Sequence, residues 1–118
     1  MRDHKKLRAF TLADEVVLMI YRITYDFPKE EMYGLTSQMR RAAVSVASNI
    51  VEGCARKTQP DYIRFLEIAL GSQRELNYQD SVANRLGYVK QEISKESEDK
   101  LHEAEIVLSY LIRALGKP

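Results

Sequence analysis

Five cations have the types and spacing for chemistry: Arg40, Arg41, Arg56, Lys57 and Arg64, spread over the stretch that leads from a second helix into a third. Arginine presents a planar fork of donors and lysine a compact charge, and both suit phosphate oxygens, so the set reads as a candidate nucleic-acid-binding site. The competing reading is structural, with these cations paired to Glu52, Glu67 and Glu75 within or between subunits. The chain carries 18 Lys and Arg against 17 Asp and Glu, a net charge of +1, so any basic site must be local and pairing is the first expectation.

Other chemistries have little to stand on. Neither a Ser, His and Asp set at convincing spacing nor a glycine-rich phosphate loop is present, and of the two histidines His4 sits in the terminal segment. His102 follows Asp99 by three residues and Glu98 by four, which resembles half of a carboxylate-bundle metal motif. Such sites need the motif on two helices and further glutamates on the others, so no metal or cofactor is expected. Cys54, the only cysteine, has no intrachain partner and is expected to pack as a small apolar side chain. Residues 1–10 are basic, with Arg2, His4, Lys5, Lys6 and Arg8 close together; such a cluster can touch phosphate, but the first expectation is a solvated, partly frayed end. They lack the apolar stretch of a signal peptide, and no apolar run approaches the ~20 residues of a membrane span, so a soluble, cytoplasmic protein without a membrane partner is expected.

The elements that must position these residues are helical throughout. The first helix is expected from about Thr11, with Thr11 as N-cap and Asp14 reaching back to it, and to stop at Pro28. Its seam is Leu12, Val16, Met19, Ile20 and Ile23, edged by Tyr21 and Tyr25. Residues 28–34 make one turn ending at Gly34 in a left-handed conformation, and the second helix opens at Thr36. There Met39, Ala42, Ala43, Val46, Ile50 and Gly53 share one face, and Val44, Ala47 and Val51 widen the apolar arc to roughly half the wheel. That is more than one subunit is expected to cover, so Val44, Ala47 and Val51 are assigned to an interface between copies. Asn49, beside this face, needs a hydrogen-bond partner and is read as fixing register. Gly53 signals either close backbone approach or the helix end.

A capping box of Thr58 and Asp61 opens a third helix over residues 59–86, ending at Gly87. Its stripe is Tyr62, Leu66, Ala69, Leu76 and Ala83, widened by Ile63, Phe65, Ile68, Leu70 and Val82, with Gly71 and Ser72 marking another close approach. The last helix starts between Lys90 and Ser97 and runs to Leu115, with Gly116 and Pro118 as stop signals and a seam of Leu101, Ala104, Leu108, Leu111 and Leu115. Four such helices on short connections predict one all-α domain over residues 1–118, an antiparallel up-and-down four-helix bundle.

The segment YGLTSQMRRAAVSVASNIVEGCAR, residues 33–56, resembles the 23S rRNA intervening-sequence protein family, the small bacterial four-helix bundle proteins also called ribosomal protein S23-like. RFLEIALGSQREL at 64–76, ANRLGY at 83–88, AFTLADE at 9–15 and FPKEEMYGL at 27–35 extend the resemblance over most of the chain. Some members carry a tryptophan before the first helix; this chain has none, and Phe10 is the candidate for its packing role. The resemblance implies a bundle assembling as a cyclic homopentamer and, in related retroelement proteins, an accessory role beside a reverse transcriptase and its RNA. The expectation is therefore a non-enzymatic, self-assembling bundle whose partner is RNA or an RNA-handling protein. The competing class is a structural or protein-interaction module with no affinity for nucleic acid.

Overall fold

The structure, a computed structural model, describes residues 2–116. Four α-helices account for most of it: α1 (Arg8–Tyr25), α2 (Leu35–Cys54), α3 (Gln59–Arg85) and α4 (Gln91–Leu115). Two single 3-10 turns, His4–Lys6 and Lys29–Glu31, precede α1 and α2. Each helix packs on the one before it, and α1 also packs on α4, which closes the antiparallel up-and-down four-helix bundle. No helix of the described residues is long and apolar enough to cross a membrane.

The helix ends show which local signals dominate. Thr58 caps α3, its Oγ1 accepting from the Asp61 N–H at 3.2 Å, but the Asp61 carboxylate turns to Arg64 instead of completing the box. Gly87 adopts φ 77°, and the Tyr88 N–H reaches back to the Ala83 carbonyl at 2.9 Å, the six-to-one bond of a Schellman ending. Gly34 differs from expectation: its φ is −115°, and α2 is opened instead by the Glu31 carboxylate, which accepts from the Leu35 N–H at 3.1 Å. Thr11 is not an N-cap either. Helix α1 starts three residues earlier, at Arg8 after Leu7, because the chain ahead of it is tied down, and Thr11 lies inside the first turns with its hydroxyl on the Leu7 carbonyl.

That N-terminal segment is docked, where a frayed end was expected. Asp3 caps the 3-10 turn, Leu7, Ala9 and Phe10 pack into one half of the core, and Arg8 pairs with Glu103 of α4. Apolar burial and two long-range polar contacts hold it down, a combination that outweighs the ordering entropy a terminus otherwise retains. Pro118, expected as a second stop signal, lies outside the described residues.

Helices α2 and α3 approach most closely. A Cβ on Gly53 would sit 3.0 Å from Phe65 Cβ and 3.2 Å from Tyr62 Cδ1, so the backbone comes near because no side chain intervenes. Farther along, the Ser45 and Ser72 hydroxyls meet at 2.9 Å. Asn49 donates to the Ser45 carbonyl and to Ser45 Oγ, which links it through Ser72 to α3, as a register-fixing residue should. Gly71 does not share this role: a Cβ there would meet nothing within 4 Å, because it faces outward. The α3 core stripe also differs from expectation. Gln73 and Asp80, at helical spacing from Leu66, Ala69, Leu76 and Ala83, are buried, as is Gln79, while Ile68 lies outside.

Candidate nucleic-acid interface

The α2–α3 turn and the docked N-terminus lie together at one end of the bundle. Arg56 and Lys57 occupy the turn between Cys54, the last α2 residue, and Thr58, which caps α3. The Arg2 guanidinium stacks 4.1 Å from the Tyr62 ring centroid and donates to the Arg56 carbonyl at 2.9 Å. Phe65, one turn after Tyr62, carries two more: Arg64 at 4.6 Å and Arg56 at 5.3 Å from its centroid. Stacking of this kind orients each guanidinium while leaving donors free at its edge. Arg2, Ala55, Arg56 and Lys57 line an open recess of about 620 Å³.

The charges here are only partly compensated. Arg64 pairs with Asp61 at 2.9 Å, whereas Arg56 and Lys57 have no carboxylate partner among the described residues. The expected pairings of the five cations with Glu52, Glu67 and Glu75 are absent among the described residues. Glu75 lines a recess with Arg41 but forms no ion pair with it and accepts from Gln79 instead.

Arg40 and Arg41 do not join this cluster. They lie in the first half of α2, about 20 Å from its end at 1.5 Å per residue. Arg40 stacks 4.7 Å from the Tyr21 centroid and donates to Thr24 Oγ1 at 2.9 Å, which ties α2 to α1. Arg41 faces a separate recess with Gln38, Ser45, Ser72 and Glu75. The predicted set of five is therefore divided, with Arg56, Lys57 and Arg64 at the turn and Arg40 and Arg41 at the far end. Sequence reading leaves Arg2 out of the five-cation site. Its only signal was membership of the basic N-terminal run, and nothing local to residue 2 points to Tyr62.

Cys54 is buried beside Tyr62, and burial pushes its thiol above the usual range, which suits packing and not nucleophilic attack. The same burial, with Cys54 beside it, pushes the Tyr62 phenol up to about 12. Glu98 and His102 border a recess on the α3–α4 side, and no cluster of three or more metal-ligating side chains occurs among the described residues.

A family model for the 23S rRNA-intervening sequence protein matches residues 5–109. The chain belongs to that family. Among solved structures, this member of the 23S rRNA-intervening sequence protein family is similar to a protein of unknown function from the S23 ribosomal protein family of Bacteroides thetaiotaomicron VPI-5482. The two share 21% identity over 89% of this chain and 98% of the other, with a TM-score of 0.78, a likeness of fold. Comparison with curated proteins finds no match.

Proposed function

We propose that this chain is a non-enzymatic accessory protein of the cytoplasm that self-associates and binds structured RNA at its basic end. The observation that carries the RNA reading is the recess at the α2–α3 turn, where Arg2, Arg56 and Lys57 converge and the last two have no carboxylate partner among the described residues. Such a site supplies charge and donors to phosphate oxygens without reading base identity. A single recess of this size is weak. In an assembly it repeats, and several weak phosphate contacts on one particle reinforce one another.

Self-association is supported by the α1–α2 face. Val44 is 39% exposed and Leu18 50%, with Tyr21 beside them and Ala47 and Val51 half-buried at the edge of the core. Exposed apolar side chains on two neighbouring helices are of the kind that marks a protein interface. A cyclic homopentamer is the assembly that the family resemblance implies. Light scattering should give several times the monomer mass, and Val44→Glu should lower it; a monodisperse monomer at micromolar concentration refutes self-association.

For the RNA reading, labelled structured RNA is titrated at several salt concentrations. Affinity should fall steeply as salt rises, and Arg56→Glu with Lys57→Glu should weaken binding at least about tenfold, since each lost phosphate contact removes counterion release. Arg41→Glu should matter far less. Absence of binding at low salt, or binding that ignores the double substitution, overturns it. A protein-interaction module without nucleic-acid affinity is the second reading, favoured by the net charge of +1 and by the use of Arg2, Arg56 and Arg64 as aromatic stacking partners.

A further inference from the structure

We infer that the outward face of α3, from Ile68 through Gly71 to Tyr78, seats the α1–α2 face of a second copy of this chain, so that two different surfaces meet at each subunit contact. The inference rests on the self-association proposed above and adds the surface on the other side of the contact.

Gly71 is the starting observation. Glycine in a helix interior is less stable than alanine, so its presence calls for a turn or a close approach. Gly71 makes no turn, since α3 runs through it without a break, and no atom of the subunit lies within 4 Å of where its Cβ would be. Gly53 shows what an internal reason looks like, with Phe65 and Tyr62 filling the space. The gap at Gly71 opens only outward.

The neighbours of that gap are apolar and unpartnered. Ile68 is 44% exposed and Tyr78 66%, and the three positions lie along one side of α3 at three- and seven-residue steps. A missing side chain flanked by two exposed apolar ones is a hole. The α1–α2 face offers the knobs, the exposed side chains of Leu18, Tyr21 and Val44.

Charge supports the same occupant. Asp14 lies seven residues before Tyr21 on α1, and Arg40 stacks on Tyr21, so this face presents a carboxylate and a guanidinium about 10 Å apart along the axis. Beside the α3 stripe, Glu67 and Arg74 are also seven residues apart. Asp14, Arg40 and Glu67 have no ion-pair partner among the described residues, and Arg74 reaches only Glu105, at 3.5 Å. Laid together, Arg40 meets Glu67 and Asp14 meets Arg74. Because the two surfaces differ, the contact is heterologous, the type that makes a ring when the rotation between copies closes and a filament when it does not.

Short-span thiol cross-linking tests the assignment. Val44→Cys and Ile68→Cys chains, co-refolded as a mixture and treated with a bismaleimide, should give a covalent dimer, and neither variant alone should do so. Buried Cys54 is left in place. A dimer from Ile68→Cys alone, or none from the mixture while light scattering shows an assembly, overturns it. Gly71→Trp should reduce the assembled mass to that of a monomer with helicity retained. Full assembly of Gly71→Trp overturns the α3 seat and leaves self-association standing, whereas a monomeric wild-type chain removes both. Gly71→Ala provides opposite signs: a higher melting midpoint in the dissociated Val44→Glu background, and weaker assembly otherwise. No loss of assembly with Gly71→Ala counts against a backbone-close contact.

Discussion

The two flanks of α3 are built on opposite principles. Toward α2 the contact is close and largely dry: Gly53 lets the backbones approach, Leu66, Ala69, Val46 and Ile50 fill the core, and one serine pair spans the gap. Toward α4 polar groups enter the seam beside the apolar Leu76, Ala83, Leu101 and Ala104. Gln73 donates to Asn77, Asn77 donates to Glu105, and Asp80 is buried with one carboxylate oxygen accepting from Asn84 and the other without a partner. Burial and the nearby Glu98 charge push the Asp80 carboxyl up to about 6. The comparison teaches that one helix can be bonded to a neighbour by shape on one side and by hydrogen-bond geometry on the other, and the two should fail in different ways. An apolar seam loses stability in proportion to the volume removed, whereas a polar seam responds to pH.

The largest effect should come from the dry flank. Ile50→Ala removes a fully buried side chain facing α3 and should cost about 3 kcal/mol in chemical denaturation; a loss under about 1 kcal/mol would mean that this flank is loosely packed. On the polar flank, Asp80→Asn should stabilise the protein at pH 7 by about 2 kcal/mol, since the folded state then no longer holds a buried carboxylate. The folded carboxyl titrates near 6 and the unfolded one near the usual ~3.9, so the folded state binds more protons between those values. Its contribution to stability is complete below pH ~4 and is lost as pH rises through about 6. Denaturation midpoints that are equally pH-dependent in wild type and Asp80→Asn would assign the titration to another group.

Smaller effects sharpen the contrast. Gly53→Ala should cost about 1 to 2 kcal/mol, because the methyl meets Phe65 and Tyr62 and this overpacking exceeds the gain in helix propensity. A stabilised Gly53→Ala would show that α2 and α3 can part without penalty. Thr58→Ala touches neither flank and should cost about 1 kcal/mol through loss of the N-cap, a baseline in thermal unfolding against which the flank effects are read.

The legibility of the chain follows the range of the interactions. Helix α2 was legible because Met39, Ala42, Ala43, Val46, Ile50 and Gly53 recur at helical spacing, and all are buried. The end of α3 was legible because Gly87 adopts a left-handed conformation that depends on little beyond its neighbours. The side on which Gly71 lies was not legible, because a glycine carries the same sequence signal whether the space beside it is filled within the subunit, as at Gly53, or open to the outside. The candidate site was half legible. Arg56, Lys57 and Arg64 are close in sequence and therefore close in space, while Arg40 and Arg41 were grouped with them across three turns or more of helix that hold them apart. Arg2 could not be placed, since its contact with Arg56 spans 54 positions.

By itself the sequence determined the number of helices, their order, the apolar part of the inward face of each though not the buried polar Thr24, Thr36, Gln73, Gln79, Asp80 and Ser97, and family membership, all of which are written in periodicity, caps and contiguous motifs. Tertiary structure alone decided that the N-terminus docks, that Gln73 and Asp80 enter the α3–α4 seam, that the five cations divide, and that Gly71 faces outward. The physical reason is that spacing along one helix fixes which residues share a face, whereas the partner of that face depends on how all four helices pack at once.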